Sequence, residues 1–366
     1  MEAAPSPRPL PSPAPARVDH GRRNLLLGMG WLAAAAAMPW PARAASPAAH
    51  LPSGINLRPI PRTGEQLPVL GLGTFLAFDR LPGAPRQALQ EVFSIYWDAG
   101  ARLVDTSPLY GTAEVSVGDI AARLGVSDAL FVANKIWSTG DYLADDSHAR
   151  RSLALSCERL WRERIDLMQC HSLVNVEVLV PILQAWKQEG LVRYFGITHY
   201  ENPYHALLAQ WIERARPDFV QVNYSIANPA AEREVLPAAL ANGTAVLCNM
   251  PFEKGRLFTL VRDRPLPPFA RELGITGWAE FFLKWVASHP AVTCVLAATA
   301  NPAHARENVR ALRGPLPDAG MRERMRAYVA ALPGFAEVLR QPWYPGRRYE
   351  GLVSRAQRAL RERLQP

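Results

Sequence analysis

Four side chains at the ends of three successive apolar runs could together deliver a proton to a carbonyl oxygen. Asp105-Thr-Ser-Pro-Leu-Tyr110-Gly111 follows the run Ala101-Arg-Leu-Val104. Lys135 ends Phe131-Val-Ala-Asn-Lys135-Ile, and Ile165-Asp-Leu-Met-Gln-Cys170 leads directly into His171. A free phenol titrates near 10, so tyrosine becomes a useful general acid when something brings its pKa toward working pH. An ammonium beside it does this by favouring the phenolate. The chain has only four lysines, at 135, 187, 254 and 284, and draws nearly all its positive charge from arginine. A lysine at a strand end therefore marks a place where a compact charge with a movable pKa is wanted. Asp105 can hold that ammonium in place, and His171 adds an imidazole in the same layer. Taken singly, each residue has a plainer role: Asp105, Thr106 and Ser107 as a cap and turn, His171 as a core histidine, Lys135 as a solvated charge. The set, in order and at strand ends, is what points to chemistry.

The elements that must position this set alternate between short apolar runs and amphipathic segments. Leu67-Pro-Val-Leu-Gly-Leu-Gly73-Thr74-Phe75 reads as a strand ending in glycines, and a helix is expected near Arg86–Ala99. Strand runs recur at Phe131–Ile136, Ile165–Cys170, Arg193–Gly196, Phe219–Asn223, Thr244–Cys248 and Val292–Leu296. Helical patterns separate them at His148–Trp161, Glu177–Glu189, Asn202–Arg214 and Ala230–Leu240. Such alternation predicts a parallel sheet with helical crossovers. Eight strand candidates in roughly 250 residues predict one closed (β/α)8 TIM barrel, an α/β single domain spanning 67–314. An open doubly wound sheet is the structural alternative, but the first glycine cluster lacks the Gly-x-Gly-x-x-Gly spacing of a dinucleotide fold. Catalytic groups of a barrel sit at the carboxyl ends of its strands, where Asp105, Lys135 and His171 are placed.

The Asp-Thr-Ser-x-x-Tyr-Gly wording, with the lysine and histidine one and two strands later, resembles the aldo/keto reductase superfamily from about Pro68 to about Leu312. The resemblance implies a nicotinamide cofactor and a carbonyl substrate. Tyr110 would protonate the carbonyl oxygen, Lys135 paired with Asp105 would tune Tyr110, and His171 would orient the substrate. For the cofactor it implies Gly73 and Thr74 after the first strand, and Thr198 and His199 where the family has Ser-Asn. It also implies Gln221 on the sixth strand, then Asn249, Pro251, Phe252, Gly255 and Leu257 after the seventh. Thr299, Arg306, Glu307 and Asn308 follow the eighth. Three positions depart from the pattern. Asn249 stands where an aromatic ring stacks on the nicotinamide, Ala298 where a lysine is common, and His304 where an arginine is common. NADP(H) is the expected cofactor by a modest margin, with Thr299, Arg306 and the helix N-terminus after Asn301 taking the phosphate. NAD(H) remains possible. The alternative function is a nicotinamide-binding or regulatory protein on the same barrel with little turnover. A metal-dependent hydrolase would need paired histidine ligands that the sequence lacks.

Residues 1–44 read as a bacterial twin-arginine export signal. Arg22-Arg23 precede an apolar stretch from Leu25 to about Met38, and Ala42-Arg-Ala44 offers a cleavage site. That stretch is shorter than the ~20 residues of a spanning helix, so the mature protein is expected to be periplasmic, without a stable membrane span. Its partners would be the twin-arginine translocation machinery and a small-molecule carbonyl substrate. A cofactor acquired before export would have to stay bound. The signal carries five arginines against Glu2 and Asp19, so its removal takes the formal charge from +8 to +5. No basic run or interleaved aromatic patch reads as nucleic-acid binding.

Residues 45–66 form a lead-in and 315–366 a C-terminal helical extension. Within the extension, Gln341-Pro-Trp-Tyr-Pro could cross the barrel mouth, and Leu352–Leu364 is a basic amphipathic helix expected to dock on the barrel. Phe75, Leu76, Trp137, Tyr142, Trp343 and Tyr344 are candidates to line an apolar substrate mouth. The four cysteines show no Cys-x-x-Cys spacing and are expected as buried free thiols.

Overall fold

The computed structural model describes residues 51–140 and 145–364. The export segment and Tyr142 lie outside them. An antiparallel hairpin, β1 (Leu57–Pro59) with β2 (Gln66–Pro68), comes first. Eight parallel strands then close a barrel: β3 (Leu70–Gly73), β4 (Leu103–Asp105), β5 (Phe131–Ile136), β6 (Ile165–Cys170), β7 (Val192–His199), β8 (Phe219–Asn223), β9 (Ala245–Asn249) and β10 (Val292–Ala298). They pair in chain order, and β10 closes on β3 with Val295 beside Leu70. This is the (β/α)8 barrel that the alternation predicts.

Every residue of β5 and β6 is buried. Both faces of these strands are covered, so they read as continuous apolar runs rather than as a polar–apolar alternation. Leu103, Phe131, Leu167, Phe219, Leu247 and Leu296 fill the interior, while Val104, Val132, Met168 and Ile197 pack outward under the helices. Ile60 and Leu67 of the hairpin region join the interior cluster. With Glu65 bonded to Arg193 and to the Tyr194 hydroxyl near the start of β7, the hairpin stops the amino end of the barrel. Among the described residues, the carboxyl end is the open one.

Two elements differ from their sequence reading. The run Leu67–Phe75 is divided between two partners: β2 ends at Pro68, opposite Leu57, and β3 pairs in parallel with β4 and β10. The helix expected over Ala230–Leu240 is a 3-10 turn, Ala230–Glu232, followed by a helix at Val235–Asn242. Pro237 gives the reason. In one continuous helix its missing N–H and its ring would fall in the interior, whereas a start at Val235 puts it in the tolerant first turn.

The motif glycine also has a reason. Gly111 has φ +64°, and a Cβ there would lie 2.2 Å from Asp79 Oδ1. Buried Asp79 accepts from the Thr112 N–H at 3.0 Å and, through Oδ2, from the Val353 N–H at 2.8 Å. One carboxylate thus ties the start of the helix Ala113–Arg123 to the start of the C-terminal helix Leu352–Leu364. Cys170, Cys248 and Cys294 are buried free thiols, and Cys157 is half-buried. Cys248 and Cys294 sit on adjacent strands, but Cys248 belongs to the outer core and Cys294 to the interior. They face opposite sides of the sheet.

Candidate active site

The parallel register brings the four chemical residues to one face. Asp105 is the last residue of β4 and lies beside Ala133, two positions before Lys135, whose own neighbour is Gln169 near the end of β6. His171 follows β6 directly. The Lys135 ammonium donates to Asp105 Oδ1 at 2.6 Å and to the Thr106 carbonyl at 2.8 Å, and both ions are buried. It also stands 4.8 Å from the centre of the Tyr110 ring. Burial pushes the Asp105 carboxyl up and the Lys135 ammonium down, each against the charge of its partner. The Gln221 amide adds a hydrogen bond to the carboxylate.

Burial also holds the Tyr110 phenol well above its ordinary value, and the Asp105 carboxylate pushes the same way. The expected net lowering by Lys135 is not seen: burial outweighs it, and the Asp105 carboxylate beside the ammonium offsets part of its charge. Tyr110 therefore carries its proton at neutral pH, the form a proton donor needs. His171 is pushed the other way, to about 3, first by burial and then by the charges of Lys135 and His199. Its Nδ1 lies 3.3 Å from the Ser107 hydroxyl. That oxygen already accepts from the Leu109 N–H, which leaves its proton to donate to Nδ1. The neutral imidazole then carries its hydrogen on Nε2, where it can donate to a substrate oxygen. The His171 ring resonances should accordingly show no titration in an NMR series from pH 8 to pH 5. A histidine lowered on folding contributes stability that is complete above about 6.5 and is lost as the pH falls from there.

These residues line a cavity of about 690 Å³, ample for a small ligand. Gly73, Thr74, Thr198, Gln221 and Asn249 form its inner wall with the four chemical residues. Thr74 also braces the site, since its hydroxyl donates to the Asp105 carbonyl at 2.9 Å. Pro251, Phe252, Gly255, Thr299, Glu307 and Asn308 line the cavity as well. Gln221 Oε1 and Asn249 Oδ1 are buried and lack a hydrogen-bond partner among the described residues. A buried unpaired acceptor is costly unless a ligand satisfies it. Two such acceptors beside the tetrad suit the donor end of a primary carboxamide, and the residues present therefore fit a nicotinamide.

Three expected cofactor residues are not on this wall. The His199 ring stacks on Tyr204 with centroids 3.7 Å apart, and its Nδ1 accepts from the Glu201 N–H, so it caps the following turn. Leu257 is fully buried in the outer core. Arg306 pairs with Glu91 on the outside at 3.0 Å, both side chains more than half exposed. The helix expected to offer free amides is the short Pro302–Asn308. Proline leads it, and the Ala303 N–H is taken by the Asn301 side chain, so its start has little left for an anion.

Of the substrate candidates, Phe75, Trp137, Trp343 and Tyr344 line the cavity. Leu76 does not; it is buried, with φ +58°. Among the described residues, eight of the eleven non-glycine residues with positive φ, from Leu76 and Ser172 to Lys254 and Tyr344, lie in the loops around this face. Backbone strain is thus concentrated at the site. The sequence reading missed Ser107, Tyr200, Lys254 and Arg347. Lys254 had a signal in the scarcity of lysine that singled out Lys135. Its ammonium lies 3.1 Å from the centre of the Trp343 ring, and burial lowers it to about 8. Arg347 had none, because arginine is everywhere in this chain.

The sequence profile of the Aldo/keto reductase family matches residues 69–327, a stretch that includes all four chemical residues and all eight barrel strands. The chain belongs to the aldo/keto reductase family. As an aldo/keto reductase it is an NAD(P)-dependent oxidoreductase. It is 26% identical over 317 residues to the NADH-specific methylglyoxal reductase of Escherichia coli, covering 71% of this chain and 94% of that one. It is also 26% identical to the D-threo-aldose 1-dehydrogenase of a Pseudomonas species over 233 residues, covering 53% and 68%. Among solved structures, an aldo/keto reductase from Klebsiella pneumoniae in complex with NADP and acetate superposes with TM-score 0.59 at 21% identity, covering 79% of this chain and 96% of that one. A Bacillus halodurans aldo-keto reductase in its holo form gives the same TM-score at 20% identity, covering 75% and 96%. These superpositions carry the fold.

Proposed function

We propose that this reductase acts on a small aldehyde or ketone with an apolar flank, with Tyr110 as proton donor. The observation that carries the reading is the convergence of a protonated Tyr110, a neutral His171 and the Lys135–Asp105 pair on one cavity. The carbonyl oxygen would sit between the Tyr110 hydroxyl and His171 Nε2. As negative charge develops on that oxygen, Tyr110 passes it a proton, and the Lys135 ammonium stabilises the phenolate left behind. Asp105 holds the ammonium, and Gln221 and Thr74 hold Asp105. Gln221, Asn249 and Thr198 would fix the nicotinamide, which when bound supplies the hydride. Phe75, Trp137 and Trp343 give the mouth its apolar character, which favours a carbonyl carrying an alkyl or aryl group. The names of the curated relatives, a methylglyoxal reductase and an aldose dehydrogenase, support small carbonyl compounds and sugars as the first panel to assay. Loss of nicotinamide absorbance on adding such carbonyls to purified protein with NADPH or NADH tests the reading. No turnover across that panel with either nucleotide would reject it.

The export reading remains part of the proposal and rests on the sequence of residues 1–44. Replacing Arg22 and Arg23 by lysine should leave the protein in the cytoplasm at its precursor mass. Normal periplasmic delivery of that variant, followed by fractionation and mass spectrometry, would point to a route that does not read the arginine pair.

A further inference from the structure

The C-terminal extension supplies Trp343, Tyr344, Arg347 and Tyr349 to the cavity wall. The Tyr344 N–H donates to the Lys254 carbonyl at 2.9 Å, and Trp343 lies against the Lys254 ammonium. Arg256 donates to the carbonyls of Leu339 and Gln341, and the Val353 N–H donates to Asp79. The segment between these anchors is therefore fixed on the loop after β9. It turns tightly, with the Arg347 N–H donating to the Tyr344 carbonyl at 3.0 Å. Arg347 lines the cavity together with Thr299, His304, Glu307 and Asn308. Its charge adds to burial in holding the His304 imidazole below its usual pKa, so the two side chains are electrostatic neighbours. Among the described residues no carboxylate pairs with the Arg347 guanidinium. That leaves a planar cation, well suited to a phosphate, on the wall where the family's usual cations are absent. Position 298 is alanine, and Arg306 is held outside by Glu91.

We infer that Arg347, carried by the C-terminal extension, is the residue that recognises the 2′-phosphate of NADPH and sets the preference for it over NADH. The inference rests on the proposed nicotinamide-dependent function. It moves the phosphate grip from the segment after β10 to the extension, with Lys254 and Trp343 positioning the loop that carries it.

The test is a fluorescence titration of the purified protein with NADPH, NADH, adenosine 2′,5′-bisphosphate and 5′-AMP. Arg347→Ala should weaken NADPH and the bisphosphate about tenfold or more, as for loss of one charge-assisted contact. NADH and 5′-AMP should keep their affinities, so the ratio between nucleotides collapses, and Arg347→Lys should restore part of it. An unchanged ratio, an equal loss for all four ligands, or a loss carried by Arg306→Ala instead would overturn the assignment while leaving the enzyme reading intact. A parent protein that binds none of the four would overturn both.

Discussion

Tyr110→Phe should reduce carbonyl turnover by about 10²-fold or more while leaving nucleotide affinity close to that of the parent. The substitution removes one oxygen and keeps the ring, which packs 4.9 Å from Phe75 and edge-on to His171 at 6.1 Å. The cavity keeps its shape, and the loss falls on proton delivery. His171 cannot stand in as the acid, because burial and Lys135 keep it neutral across the working range. Stopped-flow or steady-state turnover, measured beside a nucleotide titration, separates the two effects. Turnover equal to the parent would remove Tyr110 from the chemistry, and a parallel loss of nucleotide affinity would make it a packing residue.

Lys135→Met should cost about 3–5 kcal/mol of stability, because it strands a buried carboxylate. Asp105 is almost wholly inside, and its shortest contact is the 2.6 Å bond to the ammonium. Without that bond the Gln221 amide is the partner left to it among the described residues. The uncompensated carboxyl is pushed further up, so the penalty should shrink as the pH falls and the group takes up a proton. The Asp105→Asn, Lys135→Met double variant should recover most of the lost stability, since no ion is then left alone. It should stay inactive, because the cation that stabilises the Tyr110 phenolate is gone. Denaturant unfolding of the parent, the two single variants and the double variant completes the cycle. Equal and additive losses would show that the pair does not act as a unit.

The sequence alone determined the barrel and its chemical face. Runs buried on both sides cannot be mistaken for surface strands, and their regular spacing leaves only crossovers between parallel neighbours. Asp105, Lys135 and His171 could be placed together because strand ends of a parallel barrel converge whatever the loops do. Local backbone chemistry is less legible but still present, as Pro237 shows by dividing a helix that apolar periodicity alone would join. What the sequence could not decide was the direction of individual side chains and the reach of distant segments. Arg306 and His199 stand at the expected positions, yet Glu91 from another helix draws one outward and Tyr204 stacks the other into a turn. Tyr110 is held up rather than down in pKa first by burial and then by the Asp105 carboxylate, a balance that only packed coordinates contain. Arg347 lies more than a hundred residues from the catalytic motifs, and nothing local marks it. Only the extension's anchoring on Lys254, Arg256 and Asp79 brings it to the cavity. Strand ends are positioned by the backbone ladder, which follows from the pattern of apolar residues. Side chains on loops answer to partners far away in the chain, and those partners are chosen only when the tertiary structure closes.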